Sequence, residues 1–85
     1  MDTNLYRVSK VCWAVMSQHN AEAQVFKTIE DAAMYLEDIG ICDEDIDSAL
    51  VDMLANTTTR ATFDTSNGKF ISSDNTRLNE LLGIA

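Results

Sequence analysis

The sequence predicts an α+β fold: a three- or four-stranded antiparallel sheet, two amphipathic helices packed on one of its faces and a short C-terminal helix, in the order β-β-α-α-β-β-α. Three observations carry that prediction. Two apolar stripes with helical spacing occupy the middle of the chain, a run rich in β-branched and aromatic residues precedes them, and an Asn-Gly pair between two β-rich runs follows them. At 85 residues the chain is long enough for one core and is read as a single small domain, residues 1–85.

The first strand is expected over Tyr6–Ser17, where Val11, Trp13 and Val15 alternate with Cys12, Ala14 and Met16. Both alternating sets are apolar, the pattern of a central strand covered on both faces, or of one whose second face is used for an interaction. Gln18-His19-Asn20 turns the chain, and Ala23–Lys27 returns as the second strand of a hairpin. Thr28 is the expected N-cap of a helix whose stripe is Ile29, Ala32, Ala33, Leu36 and Ile39, with Gly40 at its left-handed end. A second helix is expected to start at Asp43, which would cap it, and to run to Asn56 on a stripe of Ile46, Ala49, Leu50, Met53 and Leu54. Thr58–Thr65 and Lys69–Ser73 then form a hairpin closed by a two-residue type I′ turn at Asn67-Gly68. That register pairs Ser66 with Lys69 and Thr65 with Phe70, and sets Phe63 and Phe70 as a diagonal aromatic pair. Asp74 can cap a last helix with Leu78, Leu81 and Leu82 on its apolar edge.

Composition excludes several classes. With 46% hydrophobic and 24% charged residues, periodically spaced, the chain is a folded domain rather than a disordered one. Cys12 and Cys42 are too few for a disulfide framework and read as reduced thiols, expected as buried small hydrophobes. No apolar leader precedes the first strand and no stretch of about 18 apolar residues occurs, so the expected setting is cytoplasmic, without a membrane partner.

The charge is polarised. Between Thr28 and Thr59 stand nine acids, Glu30, Asp31, Glu37, Asp38, Asp43, Glu44, Asp45, Asp47 and Asp52, and no lysine or arginine; the remainder holds five acids and six bases. The net charge of −8 and pI near 4.2 repel nucleic acid and anionic membranes and favour a basic partner. Solubility alone does not require this arrangement, because interspersed lysines would give it without mutual repulsion.

No catalytic or metal-binding motif is complete. Asp43, Asp45 and Asp47 open a calcium loop, but its sixth position, a glycine in such loops, is Ser48 and its twelfth, a glutamate, is Leu54. The three acids instead enrich a helix N-terminus, which the helix dipole favours. His19 stands alone in a predicted turn, Cys12 lies in an apolar strand that would keep its thiol protonated, and Glu37 and Asp38 share an exposed helix face with no cleft between them. Gly40, Gly68 and Gly83 sit at ends and turns, so there is no phosphate loop. Arg60, Lys69 and Arg77 are too scattered for a nucleic-acid surface. The expectation is a non-enzymatic protein without metal or cofactor.

The acids therefore define the candidate site. The apolar stripes face inward, so Glu30, Glu37 and Asp38 should project from the first helix and Glu44, Asp45, Asp47 and Asp52 from the second, as one acidic face. Such a face can dock on a basic surface of a larger protein and compete with phosphates for the same lysines and arginines. In size, acidity and self-sufficiency the chain resembles, in kind, the small phage-encoded inhibitors that block restriction or CRISPR enzymes. The alternative is a small regulatory or structural interaction module that uses an apolar surface, of which Met34, Tyr35 and Val51 would form part and through which a homodimer could also form, and whose acidity serves only solubility.

Overall fold

The computed structural model describes residues 2–17 and 20–75. The elements are β1 (Asp2–Ser9), β2 (Cys12–Ser17), β3 (Asn20–Phe26), α1 (Ile29–Asp38), α2 (Asp43–Asn56), β4 (Arg60–Asp64) and β5 (Lys69–Asp74). The strands form one five-stranded antiparallel sheet in the order β3-β2-β1-β4-β5, so the α+β class holds with one strand more than expected. The C-terminal helix expected around Leu78, Leu81 and Leu82 lies outside the described residues, as does His19.

The extra strand comes from the N-terminal run. The stretch expected as one strand over Tyr6–Ser17 folds back on itself between Ser9 and Cys12, and the first strand begins at Asp2. Lys10-Val11 has none of the glycine or asparagine that marks a tight turn. The Ser9 hydroxyl supplies the missing interaction, accepting the Val11 N–H at 3.3 Å. The expectation of cover on both faces of the strand is met in β2, where Ala14 and Val15 point to opposite sides and both are buried.

The second hairpin also differs in register. Its ladder ends at Asp64 opposite Lys69, and Phe63 stands directly opposite Phe70, with ring centroids 5.9 Å apart. The loop is Thr65–Gly68, four residues rather than two. Asp64 organises it: its carboxylate accepts the Ser66 N–H at 2.9 Å and the Asn67 side-chain amide at 2.8 Å, and its carbonyl accepts the Gly68 N–H at 2.8 Å. The Gly68 carbonyl in turn accepts the Cys42 N–H at 2.9 Å, which ties the loop to the α1–α2 connection. A tertiary contact accompanies the departure from the local turn preference, and beyond the loop the ladder carries a bulge at Ile71.

Both helices cover one face of the sheet, α1 over β2 and β3 and α2 over β4 and β5. The core between them joins Leu5, Val15, Ala61 and Phe63 from the sheet to Ala32, Leu36, Ile46, Ala49 and Met53 from the helices. Each large side chain so buried contributes about 1.5–3 kcal/mol relative to exposure. At the open end of the second hairpin Arg60 forks onto Asp74, Nε donating at 2.9 Å and Nη2 to the second oxygen. That hydrogen bond, against a smaller opposing effect of burial, holds the guanidinium above its already high ordinary pKa.

The helix ends are built from local chemistry. The Thr28 hydroxyl caps α1 by accepting the Asp31 N–H at 3.2 Å. Gly40, at φ +103°, closes it with the Ile41 N–H on the Leu36 carbonyl and the Gly40 N–H on that of Glu37, both at 3.0 Å. Helix α2 differs from expectation at its start. Its N-cap is Cys42, with no side-chain hydrogen bond, and Asp43 is the first helical residue. Its end is formed by Thr57 at φ +51°, an uncommon conformation for a β-branched residue. Thr57→Asn, which keeps the Thr58 N–H on the Met53 carbonyl but tolerates that conformation, should raise stability by about 0.5–1 kcal/mol. An unchanged urea midpoint would show that Thr57 carries no such strain.

Candidate protein-docking surface

The acids fall into two groups that sequence spacing alone did not separate. Glu30, Glu37, Asp38, Glu44 and Asp47 are exposed, as are Asp31 and Asp43. Both helices lie on one sheet face, so these exposed carboxylates all stand in the helical layer of the molecule.

Asp45 and Asp52 do not project outward as expected. They are half-buried and turn toward β5, the last strand of the sheet. Asp45 Oδ1 accepts the Phe70 N–H at 3.0 Å, and Asp52 Oδ2 accepts the Ser73 hydroxyl while its Oδ1 accepts the Asn56 amide at 2.9 Å. The two acids thus fasten α2 to an edge strand and satisfy an N–H there. Spacing holds the signal for this: Asp45, Ala49 and Asp52 lie on one helical stripe, and Ala49 is fully buried. With Asp45 committed to Phe70, the Asp43, Asp45 and Asp47 series does not act as a unit. Among the described residues no group of three or more histidine, cysteine or acidic side chains is placed to hold a metal ion.

The positions of the exposed acids relative to the helix dipoles are informative. Glu30, Asp31, Asp43 and Glu44 occupy first turns, where a negative charge is favoured. Glu37 and Asp38 occupy the last turn of α1, which contains no base, and there each carboxylate costs about 0.3–1 kcal/mol. Neither is offset by an ion pair: among the described residues the Arg60–Asp74 pair is the one salt bridge, and it lies on the strands.

Two surface depressions flank this side. One, of about 450 Å³, lies where α1 meets β3 and is lined by Val25, Phe26, Lys27, Asp31, Met34 and Asp38. Tyr35 forms part of its wall, its ring 5.4 Å from that of Phe26. The other, of about 260 Å³, lies between the two helices and the β1–β2 hairpin and is lined by Trp13, Ile29, Leu50, Met53 and Leu54 together with Arg7 and Thr58. There the Arg7 guanidinium lies 5.9 Å from the Trp13 ring centroid. Leu54, expected within the inward stripe of α2, is instead 76% exposed beside it, and Met34 and Val51 are exposed on the helices. Cys42 is exposed and Cys12 half-buried rather than sealed in the core.

No protein-family model, curated protein or solved structure matches the chain. Among the described residues no helix is long and apolar enough to cross a membrane.

Proposed function

We propose that the chain is a non-enzymatic protein-binding module whose acidic helical side docks on a basic, nucleic-acid-binding surface of a larger protein. It acts as an inhibitor of the kind phages make against restriction or CRISPR enzymes. The observation that carries this reading is the placement of Glu37 and Asp38: exposed, without ion pairs among the described residues, and at the helix end where their charge opposes folding. Solubility can be met by carboxylates anywhere on the surface, whereas a docking face requires them at particular places whatever the local cost. The rigid two-helix platform favours the same reading, since carboxylates fixed on packed helices present a pattern of charge to a groove without ordering a loop on binding.

A second reading rests on exposed Met34, Val51 and Leu54, which would let the same helices dock through apolar contact, in a homodimer or on another protein. Salt separates the two. A partner captured from the host at low salt should lose at least about tenfold in affinity between roughly 50 and 500 mM salt if the acids carry the contact. Affinity that survives this range nearly unchanged sinks the electrostatic reading and leaves the apolar one.

A further inference from the structure

The sheet has two edges, and the helices treat them differently. At β5 the edge is closed: Asp45 takes the Phe70 N–H, Asp52 takes the Ser73 hydroxyl, and the bulge at Ile71 breaks the regular row of backbone groups. At β3 no such closure exists among the described residues; β3 pairs with β2 alone, and no helical side chain bonds to it. An edge strand left this way presents N–H and C=O groups at the spacing of a further strand. The adjoining surface is not neutral. The α1–β3 depression opens along this edge, with Asp31, Asp38 and exposed Met34 on the helix against the single base Lys27 after the strand, and exposed Val25 on the sheet face away from the helices.

We infer that β3 is a docking edge for an extended segment of a partner protein, one that alternates apolar and basic residues. The segment adds a sixth strand alongside β3. Its apolar side chains cover Val25 on the sheet face away from the helices, and on the alternate, helix-side positions a lysine or arginine reaches Asp31 and Asp38 beside Met34. Backbone hydrogen bonds give such a contact its register, and the depression selects the side chains. A second copy of this chain is the wrong occupant, because pairing two β3 edges would bring together two depressions bearing Asp31 and Asp38 on chains that each carry −8. The inference rests on the acidic-docking proposal only for the charge of the partner; the edge and the extended conformation are independent of it.

The test uses the full chain and a short synthetic peptide alternating valine and lysine, with binding read by fluorescence anisotropy and the contact mapped by amide hydrogen exchange. Two further peptides carry N-methyl groups on alternate backbone nitrogens, one in each of the two possible phases, and a fourth replaces lysine with glutamate. The valine-lysine peptide should bind at low salt and slow exchange at β3 amides. One N-methyl phase should lose about tenfold or more while the other binds as the parent does, since a docked strand turns alternate N–H groups toward its neighbour. The glutamate peptide should not bind, and Asp31→Asn with Asp38→Asn should weaken the parent about tenfold, whereas Asp2→Asn, exposed at the start of β1, should leave it unchanged. Equal binding by both methylated peptides, protection on α2 rather than β3, or no binding of the parent overturns the edge proposal. So does a chain that dimerises on its own through β3. In the first two cases charge-driven docking on the helices stands, so the two proposals fail separately.

Discussion

Replacing Gly68 with alanine should destabilise the chain by about 3 kcal/mol or more, a large fraction of the stability of a domain this small. Two independent costs meet at this position. Its φ of +68° lies in the left-handed region, which costs an L-residue roughly 1–2 kcal/mol. The second cost is steric: a Cβ there would run into the Gly40 carbonyl oxygen, which is backbone and cannot rotate aside, while the amide and sulfur of Cys42 would be in ordinary contact. Relief requires the hairpin loop to move away from the α1–α2 connection, which would break the Cys42 N–H to Gly68 carbonyl bond and uncover the N-terminus of α2. Gly40→Ala is the control. Gly40 also has positive φ, at +103°, but nothing lies within 4 Å of the Cβ it would gain, so only the conformational cost of about 1–2 kcal/mol applies. Urea denaturation of both variants checks the argument. Equal losses would mean that the loop and the connection are not packed as tightly as the structure shows.

The same pair of glycines shows what sequence could and could not reveal. Gly40 is legible because its role is local: a helical stripe ends beside it, and the pattern of one helix suffices to place it. Gly68 is legible only as a turn residue. Its burial depends on a carbonyl far away in the chain, so the two-residue turn that Asn67-Gly68 favours locally gave way to a four-residue loop held by Asp64. The turn between Ser9 and Cys12 escaped notice for the opposite reason, since a serine hydroxyl stands in for the usual glycine or asparagine and leaves an apolar run unbroken in composition. The helices were legible from the spacing of Ala32, Leu36, Ile46, Ala49 and Met53, because amphipathic periodicity encodes which side is buried. The acids were legible as a charge block but not by role. The inward stripe of α2 leaves Asp45 and Asp52 to solvent, although both share a helical stripe with buried Ala49, and β5 packed against α2 supplies their hydrogen-bonding partners.

That division of labour among the acids gives the second large effect. Neutralising the exposed set together, Glu30→Gln, Glu37→Gln, Asp38→Asn, Glu44→Gln and Asp47→Asn, should weaken the low-salt complex with the basic partner by about 3 kcal/mol, a hundredfold or more in Kd, if each charge contributes about 0.5–1 kcal/mol. The free chain should fold at least as well as before. Glu37 and Asp38 oppose the α1 dipole and all five repel their neighbours, while the favourable first-turn positions of Glu30 and Glu44 offset part of that gain. Asp45→Ala and Asp52→Ala should behave in the reverse sense. Each strips a half-buried donor on β5 of its acceptor and should cost about 1–3 kcal/mol of stability, with little change in the salt dependence of binding. Urea midpoints and a salt titration of binding on the same set of variants separate the two classes. If the fivefold variant binds like the parent, the acids serve solubility alone; if Asp45→Ala and Asp52→Ala weaken binding without loss of stability, these two belong to the docking face after all. The distinction is physical rather than statistical: a carboxylate that accepts hydrogen bonds from its own fold is already engaged, and only one held in solvent against a local penalty is left for a partner's lysine or arginine.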